Sequence, residues 1–274
     1  MVLWNTAKRS IIYIFVVLVA LIALMPFYIM FVMGTYRSAE LFRGLRLLPG
    51  NYLTNNLNTV FSTDYVTFYF NSFYVAVLAT AIAVFTCAIC GYAFAKFDFK
   101  GKTMLRNLIL ITMMIPMQLG IVAFVWQMNQ FGWANTHLPL IIPPMANSFG
   151  VFWMMQSAKG SVPTECIESA RIDGCNEFMI FIKIAMPCLR PALLSLSLLV
   201  FIGSWNSYLV PLVILSSTNL YTVPLGIAFL ANAHQRDFAA QILGLSISTI
   251  PMILIFVLFS KNLVRGLTIG AVKG

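Results

Sequence analysis

The stretch "IIYIFVVLVALIALMPFYIMFVM", residues 11–33, contains no charged side chain. A helix rises about 1.5 Å per residue, so this run is long enough to cross the roughly 30 Å of hydrocarbon in a bilayer. Five further charge-free apolar runs occupy residues 66–95, 107–127, 138–156, 191–213 and 238–260. The sequence therefore predicts an all-α membrane protein whose six transmembrane helices form one domain over residues 1–274.

The composition points the same way. The 274 residues are 60% hydrophobic and 9% charged, and the mean hydropathy is +0.89. A chain of this kind cannot cover a water-exposed globule, which excludes an ordinary soluble domain. The first apolar run is too long for the core of a signal peptide, so we expect it to remain in the mature chain as an anchor.

The lysines and arginines predict the orientation of the chain. The formal net charge is +9, and with a cytoplasmic N-terminus thirteen of the 17 basic side chains lie in cytoplasmic segments. The other four are Arg37, Arg43, Arg46 and Arg236. This inside excess favours a cytoplasmic N-terminus and a cytoplasmic C-terminus. The basic residues form no contiguous face, so nucleic acid is not an expected partner.

Three patterns that could carry chemistry lack the required context. "GKT" at residues 101–103 ends like a phosphate-binding loop, but a lysine stands where the first glycine is needed. Cys87 and Cys90 have redox spacing inside an apolar run, where small buried hydrophobic residues are the better interpretation. His137 and His234 have no nucleophile or carboxylate pair nearby in the sequence. We therefore predict no catalytic residue, no metal site and no nucleotide site in this chain.

The longest predicted cytoplasmic loop, residues 157–190, interrupts the apolar pattern and is called the elbow below. Pro163 and Thr164 predict the first turn and N-cap of a short helix, and Gly174 predicts its left-handed stop. Asn176 then predicts the cap of a second short helix. The elbow is thus expected to be a compact pair of helices rather than a flexible linker.

The charge of the elbow indicates what it meets. Residues 165–177 contain four acids and one base, which are Glu165, Glu168, Asp173, Glu177 and Arg171. A helix that lies on anionic lipid is usually rich in Lys and Arg, so the acidic elbow favours a protein partner. The alternative is an amphipathic loop that does no more than lie on the bilayer.

One spaced motif in the elbow resembles the EAA loop of binding-protein-dependent ABC importer permeases: Glu168, Ser169, Ala170, Gly174, Ile184, Met186 and Pro187. The family pattern is EAA, three residues, G, nine residues and I-x-L-P, from which Ser169 and Met186 are the two departures. The similarity extends along the chain through "GYAFAKFDFKGK" (91–102), "WNSYLVPL" (205–212) and "GLTIGAVKG" (266–274). It is closest to carbohydrate importer permeases of the class of the smaller maltose permease subunit.

This resemblance implies a type I ABC importer permease fold. The implied function is that of a membrane-spanning permease subunit of an ATP-driven importer, which translocates a sugar or oligosaccharide delivered by an extracellular solute-binding protein. The implied partners are a second permease subunit and two ATPase subunits. ATP and Mg would belong to the ATPases, so this chain would hold no cofactor and would be a transport subunit, not an enzyme. The implied location is the bacterial cytoplasmic membrane.

The resemblance also implies two sets of residues that contact the ATPases. Those of the elbow are Glu165, Glu168, Ser169, Ala170, Arg171, Asp173, Gly174 and Pro187. Those of the C-terminal tail, residues 265–274, are Thr268, Gly270, Lys273 and Gly274. A solvated terminus is the alternative for the tail.

Polar and aromatic residues inside apolar spans are costly in hydrocarbon and usually face a cavity or another helix. They predict a translocation path with six candidates: Gln118, Asn147, Ser204, Trp205, Asn206 and Tyr208. Amides, hydroxyls and aromatic faces suit a neutral polyol. Helix packing and anchoring at the membrane interface are the alternatives.

Two other functions remain open on the residues alone. A self-contained secondary sugar transporter would not need the acidic elbow, and a membrane scaffold or channel subunit would need neither the elbow nor the tail. Both alternatives predict a protein that purifies without an ATPase.

Overall fold

A computed structural model of the chain describes residues 2–44, 46–233 and 237–271, without the side chains of 2–8, 10, 230–233 and 258–271. Every regular element in that part of the chain is helical. The α-helices are α1 (Val2–Met33), α2 (Leu53–Phe61), α3 (Tyr65–Lys96), α4 (Lys102–Met114), α5 (Ile121–Gln130), α6 (Leu138–Ile141), α7 (Ser148–Ser161), α8 (Thr164–Ile172), α9 (Glu177–Ile180), α10 (Met186–Cys188), α11 (Arg190–Trp205), α12 (Leu209–Ile214), α13 (Val223–Ala233) and α14 (Phe238–Ala271).

The helices account for the predicted spans in two ways. Ile11–Met33 of α1, all of α3 and Phe238–Val257 of α14 are each long and apolar enough to cross a membrane alone. Three further candidates are bent pairs: Lys102–Met114 with Met117–Gln130, Leu138–Ala146 with Ser148–Ser161, and Glu177–Cys188 with Arg190–Trp205. The described chain reaches the predicted six spans when each bent pair counts as one.

The expected straight helix over 107–127 is wrong, because proline breaks it. α4 stops at Met114, and Ile115 is extended with φ −86° and ψ 117°. Pro116 has no backbone N–H and disfavours helical geometry in the residue before it. The two halves of the pair therefore meet at 92°.

The expected helices over 138–156 and 191–213 are also interrupted. Pro143 and Pro144 begin a 3-10 turn after α6, and α7 then starts at a bend of 41°. α11 ends at Trp205, and the chain resumes a helix only at α12. Pro211 favours this break, because in a continuous helix its ring would clash with the carbonyl of residue 207.

The chain forms two compact units, one of Met1–Val66 with Gly226–Ile250 and one of Thr67–Leu225 with Pro251–Gly274. In the first unit, the loop between α1 and α2 folds around the buried Asn56. Its Nδ2 donates to the carbonyls of Gly34 and Tyr36, both at 2.8 Å. The amide of Gly50 donates to Thr35 Oγ1 at 2.6 Å. These bonds satisfy backbone groups that a buried loop would otherwise leave without partners.

In the second unit, α3 and α7 pack closely because small residues lie where they meet. A Cβ on Gly91 would stand 2.5 Å from the Cβ of Met154, and one on Gly150 would stand 2.6 Å from the Sγ of Cys87. Small residues let helix backbones approach when no hydrophobic force acts between helices in lipid. Cys87 therefore serves this packing, as the sequence predicts for a small buried residue.

A network of side chains, called the polar cluster below, fixes the segment from Ile214 to Val223 and consists of Asn71, Ser72, Asn135 and His137. Asn71 Nδ2 donates to the carbonyls of Asn219 and Tyr221 at 2.8 and 3.0 Å. Ser72 Oγ accepts from the amide of Val223 at 2.7 Å.

The other two members of the polar cluster are equally well bonded. Asn135 has φ 53°, and its Oδ1 accepts from the amides of Ser216 and Ser217, both at 3.0 Å. Its Nδ2 donates to Ser217 Oγ at 2.8 Å. The ring of His137 hydrogen-bonds to the Tyr74 hydroxyl through Nδ1 and to the Leu220 carbonyl through Nε2.

Candidate functional site

The first helix of the elbow, α8, has one buried face and one exposed face. Ile167 and Ala170 are buried one turn apart in a hydrophobic cluster of the second unit. Glu165, Glu168 and Ser169 are exposed. The helix is therefore held from beneath while its acidic side remains open.

The N-cap expected at Thr164 is wrong by one residue. Pro163 occupies that position with φ −67° and ψ 134°, and it makes no side-chain cap. Thr164 is already helical, and its Oγ1 accepts from Lys96 Nζ at 3.2 Å. The Thr164 hydroxyl thus connects the elbow to the end of α3.

Gly174 ends α8 as predicted. Its φ is +80°, and the amides of Gly174 and Cys175 donate to the carbonyls of Arg171 and Ala170, both at 3.0 Å. This is a Schellman motif, which satisfies the last carbonyls of the helix and needs a left-handed residue after it. A Cβ on Gly174 would meet nothing within 4 Å, so conformation rather than space selects glycine here.

The second helix of the elbow is irregular. Asn176 caps it as predicted, since its Oδ1 accepts from the amide of Met179 at 2.8 Å. The next turn, Phe181–Ala185, is a π-turn, and α10 carries Pro187 and ends at Cys188. An 80° bend then leads into α11.

The exposed surface of the elbow combines charge with apolar side chains. Arg171, Asp173 and Gly174 are exposed, as is Pro187. Beside them, Ile172 is 87% exposed and Phe178 is 65% exposed. Exposed apolar side chains next to charged ones are a combination that protein interfaces often have.

Arg171 fixes the two halves of the elbow to each other. Its Nε donates to Glu177 Oε1 at 2.6 Å, and its Cζ lies 5.7 Å from the centre of the Phe97 ring. The hydrogen bond to Glu177 is the largest factor that raises the pKa of the Arg171 guanidinium above its usual value. Glu177 and Arg171 are both about half exposed, so we assign this pair a geometric rather than a stabilising role.

The C-terminal candidates lie mostly beyond what the structure describes. Thr268 and Gly270 lie on the backbone of α14, in a stretch whose side chains are not described. Lys273 and Gly274 lie outside the described residues. The role of the tail stays a prediction.

A cavity of about 490 Å³ lies in the second unit between α3, α5, α7, α11 and α12. Its walls are largely apolar and include Phe124, Phe149 and Pro143. Four polar residues interrupt this lining, namely Asn147, Ser204, Ser207 and Thr222. A pocket with apolar walls and a few polar groups is the usual form of a small-molecule site.

Two of the six path candidates, Asn147 and Ser204, line this cavity, although the side chain of Asn147 also caps α7 through the amide of Gly150. Trp205 is buried instead in a cluster with Phe201 and Ala76.

Gln118 is exposed on the 3-10 turn that follows Pro116. Asn206 and Tyr208 are exposed at the break between α11 and α12. The cavity thus gathers part of the predicted set, and the path role of all six remains a prediction.

Thr222 is a lining residue that the sequence analysis did not select. It is 4% exposed, and its hydroxyl has no hydrogen-bond partner among the described residues. The sequence feature that could have identified Thr222 is a polar residue two positions before Pro224 in "YTVPLG", outside the apolar runs. In the described part of the chain, no group of three or more His, Cys, Asp or Glu side chains could hold a metal ion.

Residues 83–269 match the family described as "Binding-protein-dependent transport system inner membrane component". The matched range contains the elbow, most of α14 and every cavity-lining residue except Val75.

Relatives of known function align over nearly the whole chain. An arabinooligosaccharide transport permease, AraQ of Halalkalibacterium halodurans, is 31% identical over 93% of this chain and 93% of its own length. The lactose transport permease LacG of Rhizobium radiobacter is 30% identical over 93% of both chains. The trehalose/maltose permease MalG of Thermococcus litoralis is 31% identical over 97% of this chain and 98% of its own.

A crystal structure of a bacterial ABC transporter involved in the import of the acidic polysaccharide alginate is similar in fold. The TM-score is 0.75 at 21% identity, over 94% of this chain and 96% of that one. The family match and the relatives, which align over nearly the whole chain, decide between the importer and the two other functions left open by the residues. The chain belongs to the family of binding-protein-dependent transport system inner membrane components, and it is a membrane-spanning permease subunit of an ABC importer, a transport subunit rather than an enzyme.

Proposed function

We propose that this permease imports a neutral sugar or oligosaccharide and that the exposed face of the elbow docks on a separate ATPase subunit. The observation that supports docking is that α8 has one buried face and one exposed acidic face. Ile167 and Ala170 anchor it within the permease, while Glu165 and Glu168 point away from that anchor into the open.

The docking surface comprises the predicted coupling residues Glu165, Glu168, Ser169, Ala170, Arg171, Asp173, Gly174 and Pro187. Ala170 contributes from beneath, since it is buried, and the exposed Ile172 and Phe178 supply apolar contact. The ATPase side should therefore be an apolar cleft with basic groups at its rim.

The assembly has one more permease subunit and two ATPase subunits, which hold the ATP and Mg, and an extracellular binding protein delivers the sugar. The N-terminus and C-terminus are cytoplasmic, which places the elbow on the ATPase side. The tail from 265 to 274 reaches the ATPases through Thr268, Gly270, Lys273 and Gly274. Closure of the ATPases moves the elbows as rigid bodies and switches access across the membrane.

The sugar assignment is supported by the relatives named for arabinooligosaccharides, lactose and trehalose/maltose, and by the cavity. Ser204, Ser207 and Thr222 offer hydroxyls to a polyol, and the apolar wall suits the face of a sugar ring. Among the side chains that the structure describes, none that lines the cavity is acidic or basic, which suits a neutral ligand.

Docking is tested with the Glu168→Lys variant in the complete importer, reconstituted in nanodiscs with its binding protein. Reversing this charge should leave the permease inserted and should lower sugar-stimulated ATP hydrolysis at least tenfold. Gly174→Pro should do the same, because proline cannot adopt φ +80°. Lys183→Glu, a charge reversal outside the proposed face, is the matched control. Normal coupling in both variants would refute the docking surface.

The sugar site is tested with Ser204→Ala, Ser207→Ala and Thr222→Val in the same complex. Each variant should raise the sugar concentration required for half-maximal transport, while binding of sugar to the binding protein stays unchanged. Ser157→Ala is the control, since Ser157 bonds the carbonyl of Trp153 and does not line the cavity. Unaltered transport in all three variants would remove this cavity from the path.

A further inference from the structure

Tyr92, near the end of α3, has a buried hydroxyl without a described hydrogen-bond partner. The residue is 3% exposed, and its Oη is inaccessible to solvent. A buried polar group in this condition is costly, and a native example calls for a physical explanation.

Tyr92 lies directly beneath the elbow. Its ring is 5.4 Å from that of Phe181 and 5.8 Å from that of Phe97, centre to centre. Phe97 in turn lies under the guanidinium of Arg171. Arg171 interacts electrostatically with Tyr92 as well as with Glu177 and Glu168. The Tyr92 ring is therefore separated by one aromatic side chain, Phe97, from the ion pair that joins the two halves of the elbow.

The contact between Tyr92 and the elbow involves an adjustable element. Phe181 is the first residue of the π-turn, where the chain carries one more residue per turn than an α-helix. Single π-turns inside α-helices are rare, and they occur often at functional sites. A shift here would move Phe181 and the nearby Glu177 relative to Tyr92.

We propose that Tyr92 is a positioning residue for energy coupling: its hydroxyl donates a hydrogen bond to the carboxylate of Glu177 when ATP-driven closure pulls on the elbow, and it releases that bond when the ATPases open. The bond favours the closed state over the open one because the hydroxyl is partnered in the closed state and unpartnered in the other. The inference rests on the proposed docking of the elbow on an ATPase.

The Tyr92→Phe variant tests this in the complete importer, because it removes the hydroxyl and keeps the ring. Complexes are trapped with ATP and vanadate, and the ATP concentration for half-trapping is measured. One hydrogen bond to a charged group changes the equilibrium between two states by about tenfold. We expect half-trapping to need about tenfold more ATP, while the open complex is as heat-stable as the wild type or more so.

Two variants complete the design. In a Glu177→Gln background, Tyr92→Phe should raise the half-trapping concentration much less than tenfold, because the charged acceptor is gone. Tyr28→Phe removes a hydroxyl that donates to the carbonyl of Leu47 in the first unit, and it should leave half-trapping unchanged.

The outcomes separate this inference from the proposed function. If the wild-type complex traps and Tyr92→Phe traps at the same ATP concentration, the hydroxyl has no partner in either state and the inference fails alone. Equal thermal destabilisation of the open and trapped complexes would mean a merely structural bond and would also overturn it. If the wild-type importer cannot be assembled or trapped, the docking proposal falls and this inference falls with it.

Discussion

The polar cluster and the elbow both belong to the second unit, but they differ in whether their polar side chains bond the backbone or remain exposed. In the polar cluster, Asn71, Ser72 and Asn135 each bond backbone atoms of the segment they hold. In the elbow, Glu165 and Glu168 are exposed, and nearby Tyr92 carries a buried hydroxyl without a described partner. The polar cluster thus uses its side chains to hold a neighbouring segment, whereas the elbow keeps its carboxylates exposed, and one buried hydroxyl without a described partner lies beside each region, Thr222 and Tyr92.

α3 connects these two regions. Asn71 and Ser72 lie in its second turn and Tyr92 near its other end, which places them roughly 30 Å apart along the helix. The hydrogen bonds of Asn71 and Ser72 fix one end of α3 in place, so that the elbow at its other end can move relative to a rigid helix. The comparison therefore predicts that damage to the polar cluster should lower stability, and that damage to the elbow should lower coupling at little cost in stability.

The largest effect on stability should come from Asn135→Ala. The change removes three side-chain hydrogen bonds, which should cost roughly 3 kcal/mol at about 1 kcal/mol for each bond. Alanine at φ 53° should add up to about 1 kcal/mol of backbone strain. Thermal unfolding of the purified importer measures it. Asn135→Asp keeps the acceptor oxygen and should fall between the alanine variant and the wild type. An alanine variant as stable as the wild type would mean that the polar cluster does not hold its segment.

Gly91→Ala should come next, because it acts where α3 meets α7. The added methyl would stand 2.5 Å from Met154 Cβ and 2.7 Å from backbone atoms of α7. Overpacking of this kind costs about 1–3 kcal/mol. Gly160→Ala, on α7 with nothing within 4 Å, should stabilise by up to about 1 kcal/mol. Similar melting temperatures for the two variants would show that the helices separate without cost.

Much of this arrangement could be predicted from the sequence, and the limits have physical causes. The boundary between the two helices of the elbow depends on local interactions, because Gly174 ends the first helix in a left-handed conformation and Asn176 caps the second. The sequence therefore predicted both helices. The bends after Ile115 and Trp205 were missed because a proline within an apolar run does not by itself predict a break: α1 and α14 continue through Pro26 and Pro251. Thr222 was missed because the cavity that it lines is formed by residues from distant parts of the sequence, and a single threonine in a loop does not indicate such a cavity.

Gly174→Ala and Gly132→Ala form a matched pair that sharpens the comparison. Both glycines have positive φ, +80° and +68°, and both would place a Cβ in open space. Each substitution should therefore cost about 1 kcal/mol of stability through backbone strain alone. Gly174→Ala should in addition lower sugar-stimulated ATP hydrolysis, while Gly132→Ala should leave it unchanged. Equal sugar-stimulated ATPase activity in the two variants would mean that the geometry of the elbow does not matter for coupling to ATP hydrolysis.

The smallest effect should come from Asp98→Asn, beside the elbow in the loop after α3. The carboxylate accepts from Lys102 Nζ at 2.8 Å, and this hydrogen bond lowers the pKa of Asp98. A carboxyl whose pKa falls on folding adds stability above its unfolded pKa of about 3.9, and that contribution disappears as the pH falls through the folded value. The wild type should therefore melt slightly above the variant at pH 7 and level with it in strong acid. Because Asp98 is fully exposed, about 1 M salt should erase the difference at pH 7 as well. A difference in melting temperature that persisted in about 1 M salt would mean that Asp98 supports the elbow through more than its ion pair with Lys102.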